Sequence, residues 1–124
     1  MNERHKPAGF VRLVRSFRFS FQGFVHTWRG EAAFRQELSL AAGVIPLGLI
    51  LGHSGVERAL LVAPMLLILI VEMLNSAVEA VVDRAGSERH PLAGMAKDMG
   101  SAAVMLSFVL LGTVWLLVLS DHSH

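Results

Sequence analysis

Four polar side chains lie on one stripe of an otherwise apolar helical segment, residues 70–84. They are Glu72, Asn75, Glu79 and Asp83. At about 100° per residue, offsets of three, seven and eleven positions return each side chain to within about 60° of Glu72. A carboxylate inside a membrane segment costs about 2.5–3.5 kcal/mol on insertion scales. Several polar groups on one face therefore indicate that they serve a cation, a proton path or phosphate chemistry.

The stripe runs from the middle of this segment towards its carboxyl end. Glu79 precedes Arg84 by five residues and Glu72 precedes it by twelve, which at 1.5 Å per residue places them about 8 and 18 Å from that end. Water-soluble reagents can reach Glu79, whereas Glu72 is deep enough to meet the polar head of a lipid. The spacing predicts a site where a soluble cosubstrate meets a membrane one.

The acids suit a magnesium-dependent transfer to an alcohol. Mg²⁺ typically takes one or two carboxylates plus phosphate oxygens, and Glu31 with Glu79 supplies such a pair. A partly desolvated Glu72 suits a general base that takes a proton from an alcohol. Cations for phosphate groups are available at Arg12, Arg89, His90 and Lys97.

Simpler roles exist for several of these charges. The arginines can face anionic lipid headgroups, and Glu31 and Glu88 can be solvated surface acids.

The chain has no phosphate loop of the G-x-x-x-x-G-K-[ST] type, no kinase glycine-rich loop, no H-E-x-x-H and no G-x-S-x-G. His122 and His124 can bind a metal, but a two-histidine tail is more often inert, and no role is assigned to His5, His26 or His53.

The composition places these residues in a membrane protein. Of 124 residues, 53% are hydrophobic, and the mean hydropathy is +0.54. Three apolar stretches approach the length of about 20 residues that a membrane span needs. We predict an all-α membrane protein in a single domain, residues 1–124, with spans over about 35–52, 57–83 and 98–120. The absence of cysteine excludes disulfides, iron–sulfur ligation and thiol catalysis.

The segment before the first span has a different pattern. Between about residues 10 and 29, apolar side chains recur every three or four positions, with Arg12, Arg15 and Arg18 between them. This predicts an amphipathic helix that lies in the headgroup region of the membrane. The alternative is that its apolar face packs against other protein helices.

The basic residues predict the orientation of the chain. Seven Arg or Lys residues precede Leu38 and three lie between Arg84 and Lys97. By the positive-inside rule, the amino terminus and the loop between the second and third spans are cytoplasmic, and the carboxyl terminus is periplasmic. The amino end lacks the ordered features of a cleaved signal peptide.

Three segments resemble the motifs of the small prokaryotic diacylglycerol kinases of the Gram-negative type. They are residues 31–37 (EAAFRQE), 71–84 (VEMLNSAVEAVVDR) and 96–104 (AKDMGSAAV). The resemblance extends from about residue 10 to about residue 115. It implies a homotrimer of three-span subunits with an amphipathic surface helix in the bacterial inner membrane. It also implies ATP-dependent, Mg²⁺-dependent phosphorylation of diacylglycerol to phosphatidic acid, with active sites shared between subunits and with membrane lipids, not nucleic acid, as partners.

The resemblance also implies roles for individual residues. Glu72 matches the catalytic base, Asn75 an active-site asparagine that positions it, and Glu31 and Glu79 the carboxylates that bind the metal with ATP phosphates. Nucleotide-contacting positions are Arg12, Phe19, Glu88, Arg89, His90, Lys97 and Asp98, and lipid-contacting positions are Ser20, Trp28, Arg35, Glu37, Glu72 and Ser101. Phe19 and Arg89 stand where the family often has tyrosine. Phe19 can stack on a base but has no hydroxyl, and Arg89 can still bind phosphate.

Other functions remain open on the sequence. An undecaprenol kinase shares the family architecture and differs in its lipid, although residues 75–77 and 100–102 favour the diacylglycerol branch by resemblance. A small proton-coupled transporter would also place Glu72 inside a membrane. Against this, the acids cluster towards one membrane face, whereas transporter sites tend to lie near the midplane. A noncatalytic membrane scaffold is the third alternative.

Overall fold

Every regular element in the described part of the chain is an α-helix. The computed structural model describes residues 9–86 and 90–122. The helices are α1 (Gly9–Gly30), α2 (Ala32–Leu51), α3 (Gly55–Ala85) and α4 (Pro91–Asp121). The chain divides into an N-terminal unit, Met1–Ala32, which contains α1, and a helical unit, Ala33–His124, which contains the other helices. The predicted all-α class is confirmed.

Helices α2, α3 and α4 are long and apolar enough to cross a membrane. Their mean hydropathies over the most apolar stretch are 1.3, 2.1 and 2.5. At 1.5 Å per residue, α2 is about 30 Å long and α3 and α4 about 46 Å each, against a hydrocarbon thickness of about 30 Å. Large apolar side chains such as Ile50, Val81 and Leu116 are exposed on these helices, as on a lipid-facing surface. The three predicted spans are therefore present as helices.

Helix α1 is continuous from Gly9 to Gly30. The side chains of Phe10, Phe17 and Phe21 are 77%, 69% and 69% exposed. Near its end, the Thr27 hydroxyl donates a hydrogen bond of 2.8 Å to the Gly23 carbonyl. A position of this helix in the membrane interface stays a prediction.

Local side-chain hydrogen bonds cap the starts of α3 and α4, and a glycine ends α3. Ser54 caps α3 by accepting from the Glu57 N–H at 3.1 Å, and the Glu57 carboxylate accepts from the His53 N–H at 2.8 Å. This pair resembles a capping box. Gly86, at φ 151°, terminates α3 in a conformation that L side chains rarely adopt. His90 caps α4, because its Nδ1 accepts from the Leu92 N–H at 3.1 Å.

The core of the helical unit lies where α2, α3 and α4 meet. Met65 and Ile68 of α3 are fully buried and pack with Ala41 of α2, with Leu111 of α4 against them. Pro64 has no N–H for the preceding helical turn, and neighbouring helices often satisfy carbonyls near such a proline. In this turn, the Trp115 indole donates to the Leu61 carbonyl at 2.9 Å. Trp115 therefore links α4 to α3 beside the proline.

Gly48 allows α2 to approach the other two helices closely. A Cβ atom at this position would lie 3.0 Å from Leu61 Cβ and 3.4 Å from Trp115 Cζ2. The first distance is tight for two carbon atoms and the second is an ordinary contact, so a larger residue would displace the helix that carries Leu61. Small residues permit such contacts between membrane helices. Gly43, in the same helix, would place a Cβ atom in open space.

We expect Gly48→Ala to destabilise the helical unit by about 1–3 kcal/mol, the usual cost of overpacking. Gly43→Ala is the matched control and should be neutral or stabilising by up to about 1 kcal/mol, because alanine favours helix over glycine. The measurement is the free energy of unfolding in mixed micelles with increasing denaturing detergent. Equal effects of the two substitutions would contradict the close contact at Gly48.

Candidate functional site

Polar side chains from three helices form one cluster in the helical unit. Most belong to the stripe predicted on α3, and α2 and α4 each add a charged residue. We call these residues the polar cluster: Glu37 of α2, Glu72, Asn75, Glu79 and Asp83 of α3, and Lys97 of α4.

Exposure increases along the stripe towards the carboxyl end of α3. Glu72 is 4% exposed and Asn75 9% exposed. Glu79 is half-buried, and Asp83 is exposed. This gradient follows from the geometry of the helix, because residues on one face descend at 1.5 Å per position from the packed middle to the open end. A soluble group can therefore approach Asp83 and Glu79, while Glu72 lies among protein side chains.

Glu37 and Glu72 form a buried carboxyl pair. Glu37 is 8% exposed, and its carboxyl group lies beside that of Glu72. Two ionised carboxylates repel each other and can only accept hydrogen bonds, so this arrangement favours a proton on one of the two. The second oxygen of Glu37, Oε1, is buried and has no hydrogen-bond partner among the described residues. The pair therefore offers an acceptor for a hydroxyl, Glu37 Oε1, beside the carboxyl group of Glu72.

The sequence did not reveal this pairing. The family resemblance placed Glu37 among lipid-contacting residues, without a link to Glu72. The available signal was the position of Glu37 just inside the first predicted span, because an acid within a span usually has a polar partner. Which acid it contacts depends on how α2 packs against α3.

Asn75 connects α3 to α4. Its Nδ2 donates to Glu79 Oε2 at 3.4 Å, a long hydrogen bond, and its Oδ1 is buried without a partner among the described residues. Oδ1 points at Gly100 of α4, and a Cβ atom at Gly100 would overlap it. The missing side chain of Gly100 therefore provides the space that Asn75 occupies. The predicted positioning of Glu72 by Asn75 stays a prediction.

Glu79 fits part of a site for a hard cation. Its half-buried carboxylate is an oxygen donor that accepts from the Asn75 amide, whereas Asn75 Oδ1 faces Gly100 and would have to rotate to reach an ion. Mg²⁺ prefers such donors and commonly keeps few protein ligands, with phosphate oxygens and water completing the shell. Glu31 is half-buried and belongs to the N-terminal unit, so its pairing with Glu79 stays a prediction.

Lys97 places a cation at the exposed end of the stripe. Its Nζ lies 2.8 Å from Asp83 Oδ1, and the lysine also attracts the charge of Glu79. Both partners of the ion pair are exposed, so water screens it and the pair contributes little to stability. An exposed lysine beside two acids can instead exchange Asp83 for an incoming phosphate.

His90 lies at a pocket beside the connection between α3 and α4. The pocket has a volume of about 720 Å³ and is lined by His90 with Val81, Val82, Ala85, Gly86, Leu92 and Ala93. Because His90 Nδ1 already accepts the Leu92 N–H, the other ring nitrogen is the one that can contact a ligand. The capping role of His90 was not predicted from the sequence, although a Pro directly after it is a common helix-start signal.

The remaining predicted site residues are distributed as follows. Arg12, Phe19, Ser20 and Trp28 are exposed on α1 in the N-terminal unit. In the helical unit, Arg35 is half-buried on α2, and Asp98 and Ser101 are exposed on α4. Glu88 and Arg89 lie outside the described residues. The structure therefore brings together Glu37, Glu72, Asn75, Glu79 and Lys97, and the roles assigned to these and to the other residues stay predictions.

Comparisons with known proteins agree on one family. The family model "Prokaryotic diacylglycerol kinase" matches residues 18–119. A diacylglycerol kinase of Haemophilus influenzae is 45% identical over 111 residues, covering 90% of this chain and 94% of that protein. One from Escherichia coli is 43% identical over 118 residues, covering 95% and 97%. One from Pseudomonas aeruginosa is 48% identical over 111 residues, covering 90% of each chain.

The contact between Asn75 and Gly100 predicts a coupling between the two positions. Gly100→Ala should destabilise the protein by about 1–3 kcal/mol, because the added methyl group displaces the asparagine amide. In an Asn75→Ala background the same substitution should cost little, because the overlapping side chain is gone. The measurement is a double-mutant cycle from thermal unfolding in detergent micelles.

Gly94→Ala is the matched control for this cycle, since a Cβ atom at Gly94 meets nothing within 4 Å. Its effect should be the same with Asn75 present or absent. If Gly100→Ala is equally costly in both backgrounds, Asn75 is not the group that occupies the space above Gly100.

Proposed function

The chain belongs to the prokaryotic diacylglycerol kinase family, and from this premise we propose that it transfers the γ-phosphoryl group of ATP to diacylglycerol, giving phosphatidic acid. The proposed location of the reaction is the cytoplasmic face of the bacterial inner membrane. The observation that carries the proposal is the polar cluster, which extends from exposed Asp83 and Lys97 to buried Glu72 within apolar helices. Such a cluster can join a soluble nucleotide to a lipid alcohol.

In the proposed reaction, Glu72 acts as the general base. The primary hydroxyl of diacylglycerol gives its proton to the Glu72 carboxylate, and the hydroxyl oxygen forms a bond to the γ-phosphorus as the bond to the ADP oxygen breaks. The burial of Glu72 supports this role, because a desolvated carboxylate accepts a proton more readily than a hydrated one. Phosphoryl transfer otherwise depends mainly on alignment and charge neutralisation.

Glu37 is the proposed positioning residue for this base. The proton in the Glu37–Glu72 contact is best placed on Glu37, which then donates to Glu72 and leaves Glu72 able to accept the proton of the alcohol. The unpartnered Glu37 Oε1 provides a second acceptor for a lipid hydroxyl. This role is compatible with the lipid contact that the family resemblance implies for Glu37.

The residues proposed to hold Mg²⁺ are Glu31 and Glu79, and the half-buried carboxylate of Glu79 supports a hard-cation site there. When bound, Mg²⁺ neutralises charge on the ATP phosphates. Lys97 is proposed to exchange its contact with Asp83 for a phosphate oxygen. Nucleotide contacts are further assigned to Arg12, Phe19, Glu88, Arg89, His90 and Asp98, and lipid contacts to Ser20, Trp28, Arg35 and Ser101.

The proposed active form is a homotrimer with sites shared between subunits. A single helical unit leaves large apolar side chains exposed on all three long helices, and part of this surface can pack against other subunits. The proposed orientation, with a cytoplasmic amino terminus and a periplasmic carboxyl terminus, rests on the basic residues near the first span. The amphipathic pattern of residues 10–29 supports an interfacial position for α1.

Undecaprenol kinase activity is the alternative within the family. The names of the similar proteins from three bacteria favour diacylglycerol as the acceptor. Membership of a kinase family argues against the proton-coupled transporter and against the noncatalytic scaffold, because neither carries out the phosphoryl transfer that the family name describes.

Replacing the base tests the mechanism. We expect Glu72→Gln to abolish transfer of label from γ-labelled ATP to diacylglycerol in mixed micelles, because glutamine cannot accept the proton. Glutamine has nearly the same shape, so the elution volume and the thermal midpoint should stay close to wild type. Asp121→Asn, an exposed acid at the end of α4, is the control and should retain activity. Near-normal turnover in Glu72→Gln would exclude Glu72 as the base.

The choice of lipid is tested by competition. With diacylglycerol and undecaprenol present at equal concentration in the same micelles, we expect phosphatidic acid to be the main labelled product, separated by thin-layer chromatography. The reason is that the similar proteins from three bacteria are diacylglycerol kinases. If undecaprenyl phosphate is the main labelled product, the proposed substrate is wrong and the protein is an undecaprenol kinase.

A further inference from the structure

Three metal-ligating side chains converge at the other end of the helical unit, where α2 ends, α3 begins and α4 ends. His53 follows α2, Glu57 lies in the first turn of α3, and His122 follows α4. One ligand atom from each lies within 4.8 Å of the other two. Glu57 precedes Glu72 by fifteen residues on the same helix, or about 22 Å. The group is therefore separate from the polar cluster.

The three side chains already have close contacts with one another. His122 Nε2 lies 2.8 Å from Glu57 Oε1. The rings of His53 and His122 are stacked, with centroids 3.6 Å apart and an interplanar angle of 7°. Two ligands on one tetrahedral Zn²⁺ at about 2.1 Å are about 3.4 Å apart, which is close to the separations found here. Because the lone pair of an imidazole nitrogen lies in the ring plane, the two rings must rotate out of their parallel stack to direct nitrogens at a shared ion.

The surroundings of Glu57 also suit a ligand. Its Oε1 accepts the His53 backbone N–H at 2.8 Å, which holds the carboxylate beside both rings. Metal-ligating carboxylates are commonly held by such a second hydrogen bond. Glu57 and His122 are half-buried and His53 is exposed, so an ion can enter from solvent into a site whose geometry is largely determined by helix ends.

The donor set distinguishes among metals. Two neutral imidazoles and one carboxylate carry a net negative charge, which favours a divalent cation. Imidazole suits Zn²⁺, Cu²⁺ or Ni²⁺, whereas Mg²⁺ and Ca²⁺ prefer oxygen ligands. Two histidines with one glutamate form a known type of three-ligand Zn²⁺ site, in which water takes the fourth position.

We propose that His53, Glu57 and His122 bind one divalent transition-metal ion, with Zn²⁺ as the best match, and that the ion joins the ends of α2, α3 and α4. The bound ion stabilises the folded state, because the three ligands come together only when the helices are packed. This site is independent of the proposed phosphoryl transfer, since its residues lie near the amino end of α3, whereas the polar cluster lies in the carboxyl half.

The test is Zn²⁺ binding by the full chain, prepared without a histidine tag, stripped of metal and held in detergent micelles with excess Mg²⁺. The excess Mg²⁺ occupies carboxylate sites that could otherwise take Zn²⁺. Competition with a chromophoric chelator gives affinity and stoichiometry, and thermal unfolding gives the midpoint. We expect one Zn²⁺ per chain and a midpoint that rises with Zn²⁺ concentration.

Variants identify the ligands. His53→Ala and His122→Ala should each weaken Zn²⁺ binding at least about tenfold. Loss of a residue that only hydrogen-bonds a metal ligand commonly weakens binding by about this factor, and loss of a ligand should weaken it at least as much. Glu57→Gln keeps an oxygen for the His53 N–H and so preserves the helix cap, yet it removes the charge and should also weaken binding. His26→Ala, at an exposed histidine of α1, is the control and should bind as wild type does.

Two results would overturn the proposal. One is a wild-type affinity no higher than that of a His53→Ala/His122→Ala double variant. The other is Zn²⁺ binding that Glu57→Gln leaves unchanged while its thermal midpoint matches wild type. Because Glu57→Gln retains the capping hydrogen bond, loss of folding does not obscure this second comparison.

Discussion

The contact between Glu37 and Glu72 is the constraint on which the arrangement of the helical unit depends. An acid inside an apolar helix costs several kcal/mol unless it is protonated or paired. Two acids placed against each other can share one proton, which removes one of the two buried charges. The contact requires α2 to lie against α3 at this depth. It therefore connects the packing of the helices to the reactivity of the proposed base.

Small residues make this packing possible. Gly48 admits Leu61 and Trp115, and Gly100 admits the amide of Asn75. Membrane helices have no hydrophobic driving force between them, so close backbone approach supplies much of their attraction. Close packing of the helices also keeps them rigid, so side chains on them move less than side chains on loops. The positions of the site residues on α3 therefore depend on the packing of most of that helix.

The length of α3 separates two kinds of chemistry. Its carboxyl half carries Asn75, Glu79 and Asp83, with Lys97 of α4 beside them, at the end where the proposed nucleotide enters. Its amino end carries Glu57, held between His53 and His122. About 46 Å of helix exceeds the hydrocarbon thickness, so both ends can reach polar surroundings. Substitutions can therefore change the proposed phosphoryl-transfer site without changing the His53–Glu57–His122 group, and the reverse also holds.

The sequence by itself determined the three apolar spans, the stripe of Glu72, Asn75 and Glu79, and the family. Hydrophobic runs and the 3.6-residue period are local properties, so they can be read along one chain. The tertiary structure alone decided that Glu37 contacts Glu72, that Gly100 makes room for Asn75, and that His53 meets His122. These pairs are distant in sequence and lie on different helices. A helical period predicts which residues share a face, but it does not specify which neighbouring helix that face contacts.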